Sequence, residues 1–91
     1  MGNKMRILYA EDYELDAELT KILLEEHEFT VDIAADGKKA WDAYNRQKPD
    51  IIILDLNIPR KNRTEVTRLI RQKDPHNHII IYNYHGEPER Q

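Results

Sequence analysis

The stretch DIIILDLNIP, residues 50–59, constrains the fold more than any other part of the chain. Its unbroken apolar run, Ile51 to Leu54, is typical of a strand that is buried on both faces, as in a parallel sheet. Asp55 follows the run immediately. An ionised carboxylate at the end of a buried strand costs free energy unless a group nearby pairs with it. Asp55 therefore either begins a turn or takes part in a functional site.

Composition narrows the classes of protein that fit. The chain has 91 residues, a length suited to one domain, and it has no cysteine, which excludes disulfides and Cys-based zinc sites. Its net charge of −3 does not favour direct nucleic-acid binding. No apolar run approaches membrane-spanning length and the N-terminus lacks a signal-peptide core, so we expect no membrane contact and a cytoplasmic location.

Strand and helix patterns alternate along the chain. We predict strands over residues 5–10, 29–35, 50–55 and 78–84. The second strand alternates apolar with polar or small residues, which places it closer to a sheet edge. The resulting order is β-α-β-α-β-α-β, which predicts parallel strands joined by right-handed helical crossovers.

The three helices have different sequence signals. The first is amphipathic, since one of its faces carries Leu15, Leu19, Ile22 and Leu23. Asp36 is a candidate N-cap of the second helix, which Pro49 stops. The inward residues that we predict for the other two helices are Ala40, Ala43 and Tyr44, and then Val66, Leu69 and Ile70. Trp41 falls beside the inward face of the second helix. It is expected to be either half-buried core or a contact for a partner.

Polar side chains collect at the predicted carboxyl ends of the strands, where parallel sheets bind their ligands. These residues are Glu11, Asp12, Asp55 and Asn83. If strands one and three are neighbours, the three acids lie within several ångströms of one another. Repulsion between them would be relieved by a proton or a cation. Carboxylates with waters and a backbone carbonyl suit Mg²⁺, and a carboxylate beside Mg²⁺ can attack a phosphoryl donor.

Each of these residues also has a plainer explanation. Asp12 could cap the first helix, and Glu11 could be a solvated loop residue. His76 and His78 lie two residues apart, but without a further ligand nearby they are best explained as solvated loop histidines.

The segment ILYAEDYELDAELTKILLEEHEFTVDIAADGKKAWDAYNRQKPDIIILDLNIP resembles the receiver domain of two-component response regulators. The resemblance rests on the acidic pair after strand one, the A-x-D-G before helix two, and the block K-P-D-I-I-I-L-D-x-x-x-P. It implies a flavodoxin-like (βα)₅ fold with Asp55 as phosphoacceptor. It also implies Mg²⁺ bound by Glu11, Asp12, Asp55 and the backbone carbonyl of Asn57. The phosphoryl donor would be a sensor histidine kinase or phosphotransfer protein, and the domain would not be an enzyme in the turnover sense.

The sequence departs from the family in its last part. Asn83 takes the place of the Ser or Thr that ends strand four in the family, and the family's strand-five Lys has no counterpart. We therefore expect a shortened receiver: a three-layer α/β fold with strand order 2-1-3-4, without strand five and helix five. Residues 1–91 would form one domain, with 86–91 as a polar tail.

Two functions remain open from the sequence. In the first, phosphorylation of Asp55 alters a binding surface. In the second, the chain is a degenerate receiver that serves as a phosphorylation-independent oligomerisation or docking module. An uncovered strand four would be an open edge beside an uncovered sheet face, so we expect a homo-oligomer that buries both.

Overall fold

The computed structural model describes residues 4–55 and 63–82, and alternating strands and helices occupy most of them. Wherever a predicted strand end falls among these residues, it lies within one residue of the observed end, inside the usual uncertainty of element ends. The predicted end of the fourth strand, residue 84, lies outside the described residues. They are β1 (Arg6–Ala10), α1 (Glu14–Glu26), β2 (Thr30–Ala34), α2 (Gly37–Gln47), β3 (Ile51–Asp55), α3 (Arg63–Lys73) and β4 (His78–Tyr82).

The four strands form one parallel sheet in the order β2-β1-β3-β4, as predicted. The register places Ala10 of β1 beside Leu54 of β3, so these two strands end level with each other. Each of the first three strands, β1 to β3, is followed by a helix that returns the chain to the other end of the sheet. The residues that follow β1 and the last residue of β3 therefore meet at one edge of the sheet.

Two apolar clusters cover the two faces of the sheet and give the fold its three layers. Alternate residues of each strand supply alternate faces, as the pleat of a strand requires. The α1 side is built on Ile7, Tyr9, Ala17 and Val31. The α2 and α3 side is the larger and contains Leu8, Ala10, Ala34, Ala40, Ala43, Tyr44, Ile52, Leu54, Val66 and Ile70.

Helices α2 and α3 follow the sequence prediction. The Asp36 carboxylate caps α2 by accepting a hydrogen bond from the Lys39 N–H at 2.8 Å. Lys48 ends α2 in the left-handed region, with φ of 51°, just before Pro49. All the predicted inward residues of both helices are buried except Leu69, which is partly buried. Trp41 is half-buried, packs against this core and stacks on Tyr44.

Helix α1 is amphipathic as predicted, but its apolar stripe does not pack on the sheet. Leu15, Leu19, Ile22 and Leu23, which we call the α1 stripe, are 51% to 66% exposed. The helix instead contacts the sheet through Ala17, which is buried, and Leu24, which is partly buried. At about 100° per residue, Leu19 lies roughly 200° around the helix from Ala17. The small Ala17 lets α1 lie close to the sheet, and the longer residues of the stripe face outward.

Candidate functional site

The three predicted acids meet at the carboxyl ends of the central strands. Glu11 and Asp12 follow β1, and Asp55 is the last residue of the neighbouring β3. One carboxylate oxygen from each residue lies within 4.8 Å of the other two. Asp12 is exposed, whereas Glu11 and Asp55 are only 2% and 5% exposed. The juxtaposition that the sequence predicted is therefore present, with two of its three carboxylates buried.

Glu11 is held in place by several hydrogen bonds. Its backbone N–H donates to the carbonyl of Ala34 at 3.0 Å, and its Oε2 accepts from the Tyr13 N–H at 3.1 Å. The Tyr9 hydroxyl lies 3.4 Å from Oε1 and donates to it. These contacts and its burial exclude the explanation that Glu11 is a solvated loop residue.

Asp12 does not cap α1. The N-cap position belongs to Tyr13, and no side chain makes a capping hydrogen bond there. The plainer explanation of Asp12 is therefore excluded by the structure. Its exposed carboxylate instead borders the buried pair of Glu11 and Asp55.

The acidic cluster fits a hard divalent cation. Two unit charges 4.8 Å apart repel by roughly 3 to 4 kcal/mol at an effective dielectric constant near 20. Burial of Glu11 and Asp55 adds a desolvation cost for their charged forms. A cation that binds all three carboxylates offsets both terms, and oxygen-only ligands are the donors that Mg²⁺ prefers. Within residues 4–55 and 63–82, no other group of His, Cys, Asp and Glu gathers in this way.

Two predicted site residues fall outside the described part of the chain. Asn57, proposed to bind the ion through its backbone carbonyl, belongs to residues 56–62, and Asn83 belongs to residues 83–91. The proposed polar tail, 86–91, also lies outside. The roles assigned to these residues stay predictions.

Tyr9 is the site residue that the sequence reasoning missed. It sits two residues before Glu11, so both side chains are on the same face of the β1 segment. The signal was a phenol in a strand whose other members, apart from Arg6, are aliphatic. His76 and His78 are both exposed, as expected for solvated histidines; His76 lies in the turn before β4, whereas His78 is the first residue of β4 and not a loop residue.

Comparison with known proteins assigns the family. The family model described as the response regulator receiver domain matches residues 7–91. The chain belongs to this family. Receiver domains are signalling domains of two-component systems rather than enzymes in the usual sense, they bind Mg²⁺ at an acidic pocket, and they interact with histidine kinases or phosphotransfer proteins. The flavodoxin-like fold expected from the sequence is confirmed.

Several known response regulators are similar to this chain in sequence. The transcriptional regulatory protein DegU of Brevibacillus brevis is 32% identical over 87 residues, which cover 93% of this chain and 37% of DegU. The chemotaxis protein CheY of Halobacterium salinarum is 29% identical over 85 residues, covering 93% of this chain and 71% of CheY. The chain spans only 28% to 37% of the length of DegU and two other regulators that it matches, SphR and TrcR.

Solved structures of receiver domains have the same fold. The non-phosphorylated HemR receiver domain of Leptospira biflexa superposes with a TM-score of 0.84 at 27% identity, covering 93% of this chain and 68% of that one. The response regulator TrrA of Thermotoga maritima, in complex with Mg²⁺ and BeF, gives a TM-score of 0.80 at 30% identity. That match covers 90% of this chain and 74% of TrrA. Of the helices in the described residues, none has the length and apolar character that crossing a bilayer requires.

Proposed function

We propose that this receiver domain accepts a phosphoryl group on Asp55, and that the modification alters a protein-binding surface. The observation that carries the proposal is the cluster of Glu11, Asp12 and Asp55, with Asp55 almost fully buried at the end of the central strand β3. Residues 1–91 would act as one domain in this role.

The chemistry assigned to Asp55 is a nucleophilic displacement at phosphorus. An oxygen of its carboxylate attacks the phosphorus of the donor and forms a new P–O bond, giving an aspartyl phosphate. With a phosphohistidine donor, the P–N bond breaks and the imidazole nitrogen leaves with the electron pair. With acetyl phosphate, a P–O bond breaks and acetate leaves. A histidine kinase or phosphotransfer protein would supply the first type of donor.

The same three carboxylates would hold Mg²⁺, with the backbone carbonyl of Asn57 as a further ligand. When bound, the ion neutralises charge on the phosphoryl oxygens that the carboxylates would otherwise repel. TrrA, which shares the fold at 30% identity, was solved in complex with Mg²⁺ and BeF, and this supports the same use of the cluster here. Asn83 is proposed to donate its amide to the phosphoryl group, in place of the hydroxyl of other family members.

Acetyl phosphate tests the proposal. Incubation with Mg²⁺ and acetyl phosphate is expected to add one adduct of about 80 Da to the intact protein. The adduct should be absent in Asp55→Asn and should persist in Asp42→Asn, which removes an exposed carboxylate from α2. An adduct that forms equally in Asp55→Asn, or no adduct in the wild type, would count against Asp55 as the acceptor.

A second candidate function, self-association, is favoured by the exposed α1 stripe. We propose that this chain forms a homo-oligomer that buries the stripe together with Ile80 of β4, which is 50% exposed. Among the described residues, β4 is hydrogen-bonded to β3 alone, so it also offers a strand edge for pairing. Exposed apolar patches of this kind mark interaction sites.

Light scattering at tens of micromolar tests self-association. The wild type is expected to give the mass of a dimer or larger species. Leu19→Glu should give a monomer, because the new charge lies in the middle of the α1 stripe that the oligomer would bury. Gln72→Glu, at an exposed position of α3, is the matched control and should leave the mass unchanged. A wild type that scatters as a compact monomer would exclude the oligomer.

A further inference from the structure

We propose that Tyr9 is a positioning residue of the metal site, whose phenolic hydroxyl sets the orientation of the Glu11 carboxylate. The inference rests on the proposed function, since it assumes that Glu11 binds the cation. It concerns a residue of β1 that lies beneath α1 rather than in the acidic cluster itself.

The hydroxyl of Tyr9 is buried and directed to a functional group. Tyr9 is 2% exposed and packs with Ile7, Ala17 and Val31 in the cluster under α1. A phenylalanine would fill nearly the same volume, so packing alone does not require the hydroxyl. Buried phenols take a hydrogen-bond partner, and Oη of Tyr9 lies 3.4 Å from Oε1 of Glu11. The polar end of this core residue therefore contacts the carboxylate of a candidate metal ligand.

Glu11 has a specific need for such a contact. A glutamate has one more rotatable bond than an aspartate and loses more conformational freedom when it is fixed on an ion. Two donors from β1 and the following loop restrain it, the Tyr13 N–H on Oε2 and the Tyr9 hydroxyl near Oε1. A carboxylate oxygen has two lone pairs, so accepting one hydrogen bond does not prevent it from binding a cation. Partners that pre-orient a ligand in this way raise metal affinity.

Manganese binding tests the role of Tyr9, with Mn²⁺ as the probe and its free fraction measured by electron paramagnetic resonance. Tyr9→Phe is expected to weaken Mn²⁺ binding by about threefold to tenfold. This is at or below the low end of the losses that follow removal of a hydrogen-bond partner of a metal ligand, because the 3.4 Å contact between the hydroxyl and Glu11 is long. In a Glu11→Asp background the shorter side chain draws the carboxylate away from the phenol. In that background, Tyr9→Phe should change the affinity for Mn²⁺ by less than about twofold. The difference between its effects in the two backgrounds is the coupling of Tyr9 to Glu11 that a double-mutant cycle measures.

The control is Tyr44→Phe, which removes a hydroxyl from the other buried cluster and should bind Mn²⁺ like the wild type. Circular dichroism with urea verifies that each variant is folded at the titration temperature. Equal affinity of the wild type and Tyr9→Phe would overturn the inference and leave the metal site standing. A loss of equal size in both backgrounds would overturn it too, because Tyr9 would then not act through Glu11. Failure of the wild type to bind Mn²⁺, or binding unaffected by Asp55→Asn, would instead overturn the proposed metal site.

Discussion

Substituting Asp55 by Asn is expected to raise the stability of the metal-free domain and to remove most of the stabilisation that Mg²⁺ provides. The substitution takes one charge from a cluster whose oxygens lie within 4.8 Å. Because solvent around the exposed Asp12 screens part of the repulsion, we expect a gain of about 1 to 2 kcal/mol in the free energy of unfolding. In the wild type, Mg²⁺ at about a hundred times its dissociation constant should add about 2.7 kcal/mol.

Urea unfolding with and without Mg²⁺ measures both effects. Asp42→Asn serves as the control, since its carboxylate is exposed and pairs only with Lys38 among the described residues; it should keep the full Mg²⁺ effect. If Asp55→Asn destabilised the metal-free domain, or responded to Mg²⁺ as the wild type does, the three carboxylates would not be a shared cation site.

The second large effect is expected from Ile52→Ala in the central strand. Ile52 is fully buried and lies between β1 and β4, beside Leu8 and Ile79. Loss of its side chain leaves a cavity in the larger cluster and should lower the free energy of unfolding by about 3 to 4 kcal/mol. For a small domain this is a large share of the total stability.

Ile80→Ala is the matched control for that experiment. Ile80 is the same residue type in the adjacent strand, but half of its surface is exposed, so its truncation should cost clearly less than that of Ile52. Urea midpoints compare the two variants at a protein concentration low enough that light scattering gives the mass of a monomer, so that Ile80 is not covered by a second copy. Equal losses would contradict the packing described for the sheet.

The strand pattern predicted most of the fold because each strand has a different local signal. Ile51 to Leu54 form an unbroken apolar run, and β3 is indeed a central strand. The alternating β2 lies at an edge. The meeting of Glu11, Asp12 and Asp55 follows from topology, since parallel neighbours present their carboxyl ends on the same side.

Two features could not be predicted, for physical reasons. Periodicity located the apolar face of α1 but could not tell whether that face meets the sheet or points away. The sheet contact was made by Ala17, a residue too small to dominate a hydrophobic pattern. The contact of Tyr9 with Glu11 depends on how a side chain is directed within a buried strand, which residue spacing alone does not give.

Localisation of the phosphoryl group tests the central claim most directly. After reaction with acetyl phosphate and Mg²⁺, borohydride reduces an aspartyl phosphate to homoserine, which tandem mass spectrometry of the peptides can place in the sequence. We predict homoserine at position 55 and at no other aspartate. Homoserine at Asp12 or elsewhere, with Asp55 unchanged, would contradict the assignment of Asp55 as the phosphoacceptor.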